Sequence, residues 1–166
     1  MTLTLTAVGA VVGAVLELSL WTDVEVGDAH PHIVLIYVVI VAMVLGLDAG
    51  LAGAFAGGLA LDLLGPRPLG SSAFALLICA GIAVLLGRSV TRLRYITPIV
   101  AVFLLSFVYS LIVIFLYQAL SGPVAIQDPL MTLLPGAIYD AVIAAAVAPL
   151  AVAFRMRRLE QERVDW

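Results

Sequence analysis

Six apolar stretches, at about residues 3–20, 33–47, 49–64, 71–87, 98–120 and 135–154, take up most of this 166-residue chain. A helix needs about 20 apolar residues to cross the hydrocarbon of a bilayer, and six of them would use about 120. The remainder suffices for short connections and a charged tail at 155–166. The sequence therefore predicts an all-α integral membrane protein with a single six-span domain over residues 1–154. Composition agrees: 64% of residues are hydrophobic and 11% charged, more apolar side chain than a soluble core requires. The first stretch has no basic leader and no small-x-small cleavage site, so it reads as a retained helix, with Trp21 as an interfacial anchor. Cys79 lies alone in an apolar run, which excludes a disulfide framework. His30 and His32 flank a proline without further ligands, so neither a metal nor another cofactor is expected.

Charge placement predicts an orientation. With both termini inside, Arg88, Arg92, Arg94, Arg155, Arg157, Arg158 and Arg163 are cytoplasmic, and Arg67 alone falls outside. Cytoplasmic connections carry the excess of basic residues, so this arrangement is the expected one. Arg88 and Arg92 stand one turn apart, as in a short surface helix near anionic head groups or in a plain solvated loop. Helix ends are read from local signals. Asp48 caps the third span, Ser71 or Ser72 the fourth and Thr97-Pro98 the fifth, while Pro135 opens the sixth and Pro149 kinks it.

The segment from Gly46 to Gly70 holds seven of the 14 glycines. On a helical projection Gly46, Gly50, Gly53, Gly57 and Ala60 form one narrow stripe, with Ala54 and Gly58 beside it. Such a surface lets a second helix approach backbone to backbone, the main route to helix association in lipid. The approaching helix can belong to the same chain or to a partner, and the stripe serves either use. Gly9-x-x-x-Gly13 and Ala10-x-x-x-Ala14 give the first span similar small faces.

The intramembrane acids fall at one depth in this topology. Glu17 and Asp62 end outward-running spans, and His32 opens the second span on the same side. Asp140 stands five residues after Pro135, about 7–8 Å inward. Arg67, in the outer turn, is the fixed cation beside them. Glu17, His32, Asp62, Arg67 and Asp140 thus form a candidate outer-side polar cluster, in which Asp62 is expected to engage Arg67 or a partner's polar group. The alternative is that each group reaches the head-group region separately, as expected first for Glu17 and His32. No nucleophile–base pair and no phosphate-cradling loop is present in the pattern, so no enzyme activity is expected.

The middle of the chain resembles the MreD family, the small membrane subunit of the bacterial cell-elongation machinery. The resemblance rests on Pro31 before the second span, on Gly53-Ala-Phe-Ala-Gly57-Gly-Leu-Ala-Leu-Asp62-Leu-Leu-Gly65, and on Leu69-Gly70. Tyr139-Asp140-Ala141 falls where the family often has Tyr-Asn-Ala, followed by a basic tail like Arg155 to Arg158. Two positions depart from the pattern: His32, where an Asp commonly follows the proline, and Asp140, which replaces the Asn. The resemblance implies a non-enzymatic bilayer subunit that binds MreC. It also implies work with the glycosyltransferase RodA and its class B penicillin-binding protein, linked to the actin-like MreB, with no nucleic acid as partner. Its fold is similar to the substrate-binding S component of energy-coupling-factor vitamin transporters, which supplies the rival reading. A proton-coupled transporter using Asp62 and Asp140 is a third, for which Asp48 is the one inner-side acid available.

Overall fold

The computed structural model describes residues 2–20, 31–89, 96–121 and 129–164. These form helices α1 (Thr2–Leu20), α2 (Ile33–Leu45), α3 (Leu47–Leu64), α4 (Ser71–Ser89), α5 (Ile96–Ser121) and α6 (Pro129–Val164). All but α2 are long and apolar enough to cross a membrane. The protein is a helical, multi-pass membrane protein.

The short helix α2 is the centre of the bundle. It packs against α1, α3, α4, α5 and α6, and those five follow one another around it in the order α1, α3, α4, α5, α6. Its sequence, IVLIYVVIVAMVL, is apolar on every side, as suits a helix with neighbours around most of its circumference. At 1.5 Å per residue its 13 residues span about 20 Å, short of the hydrocarbon thickness. Enclosure by its neighbours removes the need to match that thickness. Gly46 ends α2 at a φ of 100°, and α3 begins at the next residue. Only glycine adopts this conformation freely, so the chain reverses over a single residue.

Alanines line much of the helix packing around the branched side chains of α2. Ala10, Ala14, Ala54, Ala75, Ala80, Ala83, Ala144 and Ala148 are wholly buried. Leu5, Phe55, Leu63, Leu85, Phe115 and Leu150 are well exposed, which suits a lipid-facing surface. Lipid tails are as apolar as leucine, so packing of small residues holds such helices together. Cys79 is buried, with its thiol 3.7 Å from the Leu105 carbonyl oxygen.

Several boundaries differ from the local reading. The second span stops at Leu45, before Gly46 and Leu47. Gly46 holds the position ahead of α3, while Asp48 lies exposed in the first turn and makes no cap there. The fifth helix starts at Ile96, one residue before Thr97. Pro135 is internal to α6, which starts at Pro129 and runs through the charged tail to Val164. Pro135 is the seventh residue of α6, so it removes the backbone bond to the Met131 carbonyl within the second turn. Trp21, His30, Arg92 and Arg94 lie outside the described residues, as does the surface-helix reading of that arginine loop.

Candidate functional site

Three buried acids, Glu17, Asp62 and Asp140, are 5%, 3% and 0% exposed. Each is turned toward the start of another helix. The first N–H groups of a helix have no intrahelical acceptor and carry the positive end of its dipole, so a carboxylate is stabilised there.

Asp62, at the end of α3, takes the start of α4. It accepts hydrogen bonds from the backbone N–H of Gly70 (2.9 Å), Ser72 (3.0 Å) and Ala73 (3.3 Å), and from the Ser71 hydroxyl (3.3 Å). Gly70 has a φ of 90°, the left-handed geometry that brings the chain around to meet it. The cap expected of Ser71 or Ser72 is thus supplied by Asp62 from across the turn. The expected engagement of Asp62 with Arg67 gives way to these backbone partners, which the local reading could not place. Arg67 instead donates through Nη1 to Tyr109 Oη (2.9 Å) and Ser72 Oγ (3.2 Å).

Glu17 and Asp140 share the start of α2. The Val34 N–H donates to Glu17 Oε2 at 3.0 Å, joining α1 to α2. Glu17 therefore turns inward, against the expectation that it reaches the interface. Asp140 grips His32 at two points: Oδ1 accepts the His32 backbone N–H and Oδ2 lies beside the ring Nδ1, both at 2.8 Å. The Ser106 hydroxyl donates to the same Oδ2 at 2.6 Å. The His32 ring meets Tyr109 edge to face at 5.1 Å between centroids. Burial disfavours the imidazolium, but the hydrogen bond to Asp140 and the charges of Asp140 and Glu17 outweigh it, despite Arg67. The net effect raises the His32 pKa above its ordinary 6.5.

One chain of contacts therefore runs from Asp140 through His32 and Tyr109 to Arg67 and Ser72. Asp62 reaches the same Ser72 through its backbone, and Glu17 lies on the α1 side within electrostatic range of His32, Arg67 and Asp140. Ser106, Tyr109 and Ser72 were missed in the sequence. Ser106, Tyr109 and Ser110 recur at helical spacing within an otherwise apolar α5, and that pattern marks a polar face. Serine, histidine and aspartate meet here, but the acid sits between the other two. A nucleophilic triad needs the histidine in the middle, so this order does not activate Ser106. Among the described residues no group of His, Cys, Asp and Glu is placed to hold a metal ion.

Tyr109→Phe isolates one link of this chain. It removes the acceptor of a charged donor, a bond type worth about 1.5–3 kcal/mol. Arg67 is half-buried, so a loss toward the lower end is expected, read as a drop in the thermal midpoint of the purified protein.

The glycine stripe faces inward. A Cβ built on Gly50 would stand 2.6 Å from the Ala42 Cβ, and one on Gly57 would stand 2.7 Å from Val34 Cγ1 and 3.0 Å from the Ala10 Cβ. On Gly58 it would strike the backbone of Ala73. Gly53 is looser, with Thr6, Tyr37 and Val38 at 3.7–3.8 Å. Thus α1, α2 and α4 of the same chain pack against these four glycines, the internal use of the stripe. Gly46 stands apart: nothing lies within 4 Å of its built Cβ, and its role is the α2–α3 turn. In α1, Gly9 makes room for the Tyr37 hydroxyl, which donates to the Thr6 carbonyl at 3.2 Å.

Compared with models of known protein families, with curated proteins and with solved structures, the chain matches none.

Proposed function

We propose that this protein is a non-enzymatic subunit of a bacterial cell-elongation complex, of the MreD kind. In this reading it resides in the cytoplasmic membrane with both termini inside and supports peptidoglycan synthesis by binding MreC. RodA and its class B penicillin-binding protein are engaged directly or through MreC, and MreB is linked from the cytoplasm.

The observation that supports this reading best is the glycine-rich α3 ending in Asp62, the segment on which the resemblance chiefly rests, whose carboxylate organises the following turn and the start of α4. His32 and Asp140, the two positions at which the chain departs from the family's pattern, meet at 2.8 Å and tie the start of α2 to α6.

The test is co-expression with an MreC-like protein, followed by detergent extraction and affinity purification. Stoichiometric co-purification is expected. The glycine stripe is filled from within, so a partner helix has to dock on an exposed face of the bundle, and Gly57→Ala is expected to reduce co-purification only as far as it lowers the stability of the protein itself. A second reading, the S component of a vitamin transporter, draws on the polar side chains gathered around the start of α2. Mass spectrometry of the denatured protein separates the two. A stoichiometric small molecule, together with transporter ATPases in place of MreC, would replace the first reading by the second.

A further inference from the structure

We infer that His32 and Asp140 form a proton-binding latch, partly exposed at the start of α2, whose occupancy sets how firmly α6 is held in the bundle. The inference stands on the geometry of the pair and does not depend on the proposed partners.

The two members differ in access. The His32 side chain is 19% exposed, while that of Asp140 is wholly buried. Protons can therefore exchange at the ring, and the ring relays its charge state to the buried carboxylate. The groups facing the pair come from every neighbouring element. These are Glu17 of α1, Arg67 of the α3–α4 turn, Ser72 of α4, Ser106 and Tyr109 of α5, and Asp140 itself on α6. Asp62 of α3 is turned to the first turn of α4. The Nη1 atom of Arg67 is directed to Tyr109 and Ser72, so the cation at hydrogen-bond distance from Asp140 is the protonated imidazole.

The latch sits where α6 has few neighbours. Among the described residues α6 packs on α5 and α2, whereas α3 packs on α1, α2 and α4. Asp140 hydrogen-bonds to both of these neighbours, through Ser106 of α5 and through His32 ahead of α2. When the ring is charged, the buried carboxylate has a matched counter-ion. When the ring is neutral, a hydrogen bond through Nδ1–H can persist, but Asp140 becomes a buried charge without its counter-ion, which is strongly unfavourable. The direction with pH follows from the raised pKa of His32. The stabilisation is fully present below the unfolded value of 6.5 and is lost as pH rises through the higher folded value.

The test uses the full chain in lipid nanodiscs, with Cys79→Ala as background and spin labels at Val142→Cys on α6 and Phe74→Cys on α4, both lipid-exposed positions. Distance distributions are recorded across a pH series from about 5.5 to about 10, from below the ordinary imidazole value to well above it. A narrow distribution is expected at the lower end and a broader one at the upper end. In His32→Gln and in Asp140→Asn the distributions are expected to coincide across the series. Should His32→Gln fail to insert, Asp140→Asn carries the comparison alone, because it keeps the side-chain shape and removes the charge. A wild-type distribution unaffected by pH would overturn the latch. So would a pH response retained in either variant.

Discussion

Gly58→Ala is expected to lower the thermal midpoint of the purified protein by several degrees, while Gly53→Ala leaves it nearly unchanged. Both are helix-interior glycines of α3, and replacing such a glycine by alanine ordinarily gains about 0.5–1 kcal/mol. What differs is the object each new methyl would meet. At Gly58 it is the backbone of Ala73 at the start of α4, which cannot rotate away. The two helices would have to separate, and overpacking of this kind costs about 1–3 kcal/mol or more. Separation would also pull the Ala73 and Ser72 N–H groups from Asp62, since those residues make both contacts. At Gly53 the nearest atoms stand at ordinary contact distance, 3.7 Å, so the methyl is accommodated. Gly81→Ala serves as a positive control. Its built Cβ has nothing within 4 Å, and a modest gain in stability is expected. Equal midpoints for the Gly58 and Gly53 variants would mean that α3 and α4 do not approach as closely as described.

Asp62→Ala is expected to be the most damaging single substitution at the polar site. It leaves the N–H groups of Ser72 and Ala73 buried without an acceptor, and each such orphan costs about 1–3 kcal/mol. The Gly70 N–H also loses its partner, but Gly70 is exposed and water can replace it. Asp62→Asn is expected to fall between the alanine variant and wild type. Its amide keeps one acceptor oxygen but points donors at donors, and it removes the charge that complements the α4 dipole. Both variants therefore weaken the protein itself, and a loss of partner binding would follow from that. Thermal unfolding of the isolated protein, measured beside co-purification, checks the order. If Asp62→Ala left the midpoint unchanged and abolished only co-purification, Asp62 would belong to a partner surface instead.

The amino-acid sequence by itself determined the membrane class, the number of helices and their approximate places. Long apolar runs are excluded from water whatever packs around them, and glycine and proline clusters interrupt helices locally. It also marked Glu17, His32, Asp62, Arg67 and Asp140 as polar groups at a common depth, because burying an acid in an apolar run is costly enough to stand out. What it could not determine was which surface faces lipid and which faces protein. Leucine is equally at home in both, so the enclosure of α2 by five neighbours left no mark beyond uniform apolarity. The targets of the acids were hidden for a related reason. Asp62, Glu17 and Asp140 satisfy the N–H groups of helices to which they do not belong, across separations of up to 108 residues. Capping signals are read from the few residues before a helix, and here those positions are held by His32 and Gly70 while the carboxylates arrive from elsewhere. Only the tertiary structure brings these acids to the starts of α2 and α4, because only packing decides which helix ends lie side by side.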